Sequence, residues 1–489
     1  MPMSFNTLPY LVFLPLAALA WLAAPRPARI WVLLAANGVF YAFGGTPGLA
    51  VFLVLAALLA WAGGLGIQRG RHPRAWLAGT LLACVALLCF FKYNRFFPAL
   101  ADGLAALGMP VSAGGWLLMP LGISYYTFTA VSYLVDVYRK KIPAEGNFLY
   151  LLAFTSLFAT VTAGPICRAG DILPQLHAPA RFEEGRVVNG LQVMLVGYFK
   201  KIAVADMLFK FVDTVYGNLP AYSGLTLTLA ALGYGVYLYA DFSGYSDIAR
   251  GSALILGLRL PENFRVPYCA AGLGEFWDRW HISLSSWLKD YIYIPLGGSR
   301  KGAVRRVLNV LAVFVVSGLW HGVGLSFLFW GLLHGVGRVF EVLTGLGRRR
   351  TTGPVRWLHV ALTFVYVNVC WVFFRCENLA DAFYVLTAQF AGGDVIAQCR
   401  AAVAAGFDAT PLLMLGYGAF CVLAVCLLTA WDAWRVRGLA GGGAEIAFAR
   451  LGTARRWVLY YLFLAFIFAA FLMQNGYLVG SASFAYGGF

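Results

Sequence analysis

The sequence predicts an all-α, polytopic membrane protein with about eleven or twelve membrane-crossing helices and some re-entrant or interfacial helices among them. Three observations carry this reading. Of the 489 residues, 61% are hydrophobic and only 12% are charged, whereas soluble domains carry about 25% charged residues. Apolar stretches follow one another along the whole chain, close to the ~20 residues that a bilayer requires of a crossing helix. The loops between them are short and hold most of the basic residues.

The net charge of +16 (37 minus 21) therefore reads as the positive-inside asymmetry of a membrane protein and not as a nucleic-acid surface. No window is long enough for a separate soluble domain, so residues 1–489 are expected to form one integral domain. Its parts are N-terminal helices over 1–147, a core over 148–345 and C-terminal helices over 346–489. Nine cysteines are scattered without a Cys-x-x-Cys or metal-ligand spacing, which argues against a disulfide framework and a metal centre.

Taken in order, the apolar windows are 8–24, 30–43, 49–67, 75–97, 116–137, 225–248, 307–322, 325–345, 357–376, 411–433 and 457–474. The first ends in Ala18-Leu19-Ala20, like a secretory leader, yet residues 1–10 carry no Lys or Arg, so it counts as a span. Loops holding Arg26 and Arg29, then Arg69, Arg71 and Arg74, then Arg139, Lys140 and Lys141 alternate with 44–48 and 98–115, which hold none. Later, Arg300–Arg306, Arg348–Arg356 and Arg435–Arg456 are basic, while 213–224 and 475–489 lack Lys and Arg. This alternation places the basic loops on the cytoplasmic side and both ends of the chain outside.

Passing from the inner loop 139–147 to the outer loop 213–224 takes an odd number of crossings, yet 149–166 and 187–212 are both apolar enough to be one. The first ends in Gly164-Pro165 and the second is interrupted by Lys200-Lys201, so one of them is a half-span, and the sequence leaves open which. Residues 275–291 read as an amphipathic helix lying at the membrane surface. Phe276, Trp280, Leu284 and Trp287 recur at helical spacing, while Asp278, Arg279, Ser285 and Lys289 point elsewhere. Gly331-x-x-x-Gly335 reads as close helix packing, and no internal repeat is visible.

The strongest chemical signal is Trp320-His321, flanked by Gly318, Gly322 and Gly324 at the end of an apolar run. The run from Val307 rises ~24 Å as a helix, most of a ~30 Å hydrocarbon core, which places His321 deep and toward the far leaflet. An ionisable side chain there is a functional-site candidate, and a neutral imidazole suits removal of a hydroxyl proton near neutral pH. The structural alternative is a His bonded across two packed helices. His281 is a second candidate, for orienting His321 or a substrate, or else an anchor of the surface helix. His334 and His359 lack distinctive neighbours and read as structural. Asp241, Ser243 and Asp247 close the span 225–248 and could line a polar entrance, or cap a helix end and pair with Arg250.

Taken together, Asp241-Phe242-Ser243-Gly244-Tyr245-Ser246-Asp247, Pro261-Glu262-Asn263-Phe264, the run Phe276–Tyr291, Tyr293-Ile294-Pro295-Leu296-Gly297-Gly298 and Gly318-Leu319-Trp320-His321-Gly322 resemble the membrane-bound O-acyltransferase family. The likeness covers most of the chain and is nearest to the bacterial branch that acetylates secreted polysaccharide such as alginate or cellulose. It implies helices around a central channel, a catalytic His at His321 and a second family position at His281. It further implies that an acyl group passes from a cytoplasmic thioester to an acceptor outside, often through a periplasmic SGNH-type partner protein. The end, Ser483–Phe489, matches the branch only loosely.

On this reading acetyl-coenzyme A is a donor substrate and no cofactor is tightly bound. Arg300, Lys301, Arg305 and Arg306 attract its phosphates, while Trp320, Trp280, Asp241, Ser243 and Asp247 line the channel. Two rivals stand beside it: a transporter or flippase that binds cargo without acyl chemistry, and a relative acting on a cell-wall, lipid or protein acceptor.

Overall fold

A computed structural model describes residues 3–44, 47–96, 98–106, 108–111, 117–179, 181–346, 352–404, 411–438, 448 and 450–475. Among these, regular structure is helical throughout apart from one isolated bridge between Val111 and Leu117. Nine helices among the described residues are long and apolar enough to cross a membrane, which makes the chain an all-α, multi-pass membrane protein. The segment Ser483–Phe489 and the basic residues Arg348–Arg350 lie outside the described residues.

Eight of the apolar windows coincide with long helices. The other three, Leu8–Ala23, Arg29–Phe43 and Ile123–Tyr138, are helices of 16, 15 and 16 residues, rising ~22–24 Å at 1.5 Å per residue. The window 116–137 starts late because Gly122, with φ +74°, turns the chain just before the helix. A Cβ there would lie 1.9 Å from the Val161 carbonyl oxygen, so the turn admits only glycine.

The chain packs as two units, residues 1–190 with 249–261, and residues 191–248 with 262–489. The first unit answers which of the two ambiguous segments is the half-span. Residues 149–166 form only a short helix, Phe148–Thr155, followed by turns. Turns within an apolar unit leave backbone groups without helical partners, and these must be met by protein. Asn37 supplies the partners: its Oδ1 accepts from the Phe158 N–H at 3.0 Å, and its Nδ2 donates to Ser156 Oγ at 3.0 Å and to the Ala153 carbonyl at 3.3 Å. The long element is Glu184–Gly217, 34 residues, which carries Lys200-Lys201 through a π-helical stretch at Phe199–Ala205.

In the second unit the helices Gly302–His321 and Leu325–Thr344 pack face to face. Gly331 makes that possible, since a Cβ there would meet the Phe314 carbonyl oxygen at 2.4 Å, so the small-residue spacing does serve helix packing. Their outer faces expose Val304, Leu308, Val316, Leu319, Leu332 and Val336, apolar surface that only lipid can cover at this scale.

The surface helix expected over 275–291 is a correction. The chain instead breaks into Leu273–Trp277 and Ile282–Leu288, then a π turn at Lys289–Tyr293. The stripe Phe276, Trp280, Leu284 and Trp287 is buried in protein and does not face the membrane surface. Side chains far off in the sequence cause the break by capping each short helix. Glu341 receives the Leu273 N–H and, at 2.9 Å, the Gly274 N–H. Asn263 Oδ1 receives the Ser283 N–H at 3.2 Å and its Oγ–H at 2.9 Å.

Candidate active site

His321 is the last residue of its helix, and its side chain is buried, with 2% of the residue exposed. Three aromatic rings flank the imidazole, with centroids at 4.7 Å for Trp320, 4.9 Å for Trp330 and 5.2 Å for Phe374. The glycines beside it allow close approach by Phe327. Gly318 lets the Phe327 carbonyl approach to 2.5 Å of where a Cβ would sit, and Gly322 admits the Phe327 ring.

His281 also neighbours Trp320, with ring centroids 6.5 Å apart. It occupies the break between the two short helices with φ +44°, a left-handed conformation rare outside glycine. The asparagine that caps the next helix also holds the ring, since His281 Nδ1 lies 3.0 Å from Asn263 Oδ1. Asn263 in turn donates from Nδ2 to Ser246 Oγ at 3.1 Å. Burial pushes the imidazole pKa down to about 3, because the low-polarity surroundings disfavour the charged form. A neutral ring whose Nδ1–H is committed to Asn263 presents Nε2 as a hydrogen-bond acceptor.

A cavity of about 400 Å³ lies against the helix Gly302–His321 along Val310, Val313, Phe314 and Ser317, within the ~300–1,000 Å³ typical of small-molecule pockets. Its other walls are Trp277, Ser285, Lys289 and Arg338. Ser317 is the lining residue nearest His321 along that helix, one turn before it. Ser317 Oγ and Trp277 Nε1 are buried without a hydrogen-bond partner among the described residues.

The basic loop precedes the same helix, about one turn before the lining residue Val310. Asn309 Nδ2 donates to the carbonyls of Leu296 at 3.3 Å and Gly298 at 2.9 Å, while Arg305 Nε donates to Leu296 at 3.3 Å. Gly297, Gly298 and Gly302 all have positive φ, so the loop folds back on its own helix and gathers Arg300, Lys301 and Arg305 as exposed cations, with Arg306 half-buried.

The remaining predicted channel residues have other neighbours. Trp280 is enclosed by Phe264, Phe276 and Trp371 at 5.1, 5.5 and 4.9 Å. Asp241 and Asp247 do not end a helix, because Gly224–Ile255 continues past both. Each takes a lysine from the π-helical stretch. Lys201 Nζ lies 2.6 Å from Asp241 and 2.8 Å from Asp206, and Lys200 Nζ lies 2.8 Å from Asp247. Lys200 also sits 5.7 Å over the Tyr239 ring, whose hydroxyl donates to Asp432 at 2.7 Å. Ser243 is buried on the same helix, with no hydrogen-bond partner for its hydroxyl among the described residues.

Sequence reading missed the lysine partners, although Lys200-Lys201 inside an apolar run was the available signal. It also gave no weight to Asn263 as the residue that holds His281, and nothing in one chain's spacing links positions 18 apart. His334 is fully buried among Trp277, Trp330 and Trp371, at 5.0, 5.1 and 5.9 Å, and neither ring nitrogen has a partner among the described residues.

Comparison with known proteins places these residues in a family. A model of the membrane-bound O-acyltransferase family, MBOAT, matches residues 137–380. The probable alginate O-acetylase AlgI of Pseudomonas putida is 36% identical over 392 residues, covering 78% of this chain and 79% of that protein. The probable alginate O-acetylase AlgI of Azotobacter vinelandii is 36% identical over 392 residues, with 78% and 77% covered. The peptidoglycan O-acetyltransferase of Helicobacter pylori is 33% identical over 422 residues, with 78% and 79% covered.

Proposed function

This chain belongs to the membrane-bound O-acyltransferase family and is an O-acyltransferase, and we propose that it carries acetyl from cytoplasmic acetyl-coenzyme A to hydroxyls of a secreted polysaccharide. The observation that carries this reading is the placement of the 400 Å³ cavity, which follows one helix from near the basic loop to within a turn of His321. The names of the relatives favour a polysaccharide over a lipid or protein acceptor, alginate foremost, and the location that goes with a cytoplasmic donor and a secreted acceptor is a bacterial inner membrane. A periplasmic SGNH-type acetyltransferase that completes delivery is the expected partner.

Coenzyme A phosphates dock on Arg300, Lys301, Arg305 and Arg306, and the acyl end enters the cavity. Ser317 Oγ–H and Trp277 Nε1–H, both unpartnered, take the thioester carbonyl oxygen and the negative charge that develops on it. His321 removes the acceptor's hydroxyl proton, the alkoxide bonds to the acyl carbon, the C–S bond breaks, and His321 returns the proton to the thiolate. His281, fixed by Asn263, holds its neighbours in register through Trp320.

The test is turnover by purified protein given labelled acetyl-coenzyme A and a polysaccharide acceptor. Free coenzyme A and acetylated acceptor in equal amounts are expected. Acceptor binding with no cleavage of acetyl-coenzyme A would overturn the proposed donor. The paired variant Arg300→Glu, Arg305→Glu is expected to raise KM for acetyl-coenzyme A by at least about tenfold with kcat nearly unchanged. The loss should shrink at high salt, since exposed charges are screened beyond ~10 Å at 0.1 M.

A further inference from the structure

A second cavity, of about 450 Å³, lies between the helices Pro411–Gly438 and Thr453–Asn475, away from the residues of the acyl-transfer site. Its wall is apolar and aromatic, built from Leu427, Trp431, Trp434 and Val458, with Arg455 as its single charged residue. Both helices reach the cavity at the ends that adjoin the basic loop 435–456, which the charge pattern assigns to the cytoplasmic side.

Two features call for a ligand that is apolar in body and anionic at one end. Arg455 is exposed and has no carboxylate partner among the described residues, in contrast to Arg435, which pairs with Glu262 at 3.3 Å. Trp431 is buried in the wall against Trp434, Phe448 and Phe463 at 5.4, 5.2 and 5.5 Å. Its indole N–H nevertheless has no acceptor among the described residues, and tryptophan at this depth normally bonds one. A basic pocket between membrane-crossing helices on the cytoplasmic side suits an anionic lipid headgroup, attracted as well by the surface potential of that leaflet.

We propose that this groove is a binding site for an anionic glycerophospholipid, with its phosphate on Arg455, an ester carbonyl on the Trp431 N–H and an acyl chain along Leu427 and Val458. The next residue, Asp432, accepts from the Tyr239 hydroxyl at 2.7 Å, and the Tyr239 ring lies 6.4 Å from that of Trp280. Lipid seated on Trp431 therefore holds the helix that carries one end of the buried ion-pair network.

The experiment uses the full chain in phosphatidylcholine nanodiscs doped with spin-labelled phosphatidylglycerol or spin-labelled phosphatidylcholine, reading the immobilised fraction. One phosphate–arginine contact near the surface is worth ~1 kcal/mol, so wild-type protein should hold phosphatidylglycerol about five-fold more tightly. Arg455→Gln should keep the immobilised fraction but equalise the two lipids. Ala454→Trp, which fills the groove from its exposed wall, should lower that fraction by the groove's share and remove the preference for phosphatidylglycerol, while leaving acetyl transfer measurable. Equal retention of the two lipids by wild-type protein, or unchanged retention in Ala454→Trp, overturns the proposal. Neither outcome bears on His321.

Discussion

Replacing His321 with Ala is expected to lower acetyl transfer by about 10²-fold or more, with little change in the affinity for acetyl-coenzyme A. The magnitude follows from what a general base contributes to a proton transfer. The proposed mechanism spares the affinity because it docks the donor on the basic loop and along the cavity that Val310 and Ser317 line, and not on the imidazole. His334 provides the contrast. It sits 5.1 Å from the same Trp330 ring, fully buried, with both nitrogens unpartnered among the described residues. Unmet buried polar groups cost ~1–3 kcal/mol, so His334→Phe should raise the thermal midpoint while leaving turnover near wild type. Single-turnover kinetics on both purified variants decides the matter, and wild-type rates from His321→Ala would remove that ring from the chemistry.

Lys201→Met is expected to be among the most damaging substitutions away from the chemistry, costing ~3–5 kcal/mol of stability. The lysine is buried between Asp206 and Asp241, themselves buried, at 2.8 and 2.6 Å. Taking away the cation leaves two carboxylates without their counter-charge in a medium that solvates neither. Methionine keeps the volume of the chain, so the loss is electrostatic and not a cavity. Adding Asp206→Asn and Asp241→Asn to Lys201→Met should restore most of the lost folded yield, because the uncompensated charges go with their partner. Monodisperse yield and thermal midpoint in detergent read both effects, and a stable single variant would show that the network does not hold this region together.

The outcome at the two lysines shows how far local reading reaches. Lys200-Lys201 inside an apolar run signalled an interruption, and the run is indeed interrupted, by a π-helical stretch. Asp241 and Asp247 were legible as polar residues at depth, but their partners lie 40 and 47 positions away. No periodicity in one segment encodes such a pairing. The aromatic stripe over 276–287 misled for a related reason. Helical spacing gives the face that is apolar without saying what covers it, and here protein covers it where the membrane surface was expected.

What the amino-acid sequence by itself determined is the membrane-crossing, all-helical class, most of the spans and the place of His321 at the end of one of them. Hydrocarbon allows so few ways to satisfy a backbone that apolar length and basic loops read out the architecture directly. Tertiary structure alone decided that 149–166 is the half-span, that Asn263 holds His281, and that a cavity runs along the helix of His321. Each of those depends on which distant side chain meets an unpaired backbone group or fills a gap, a matter of three-dimensional proximity that chain order does not carry.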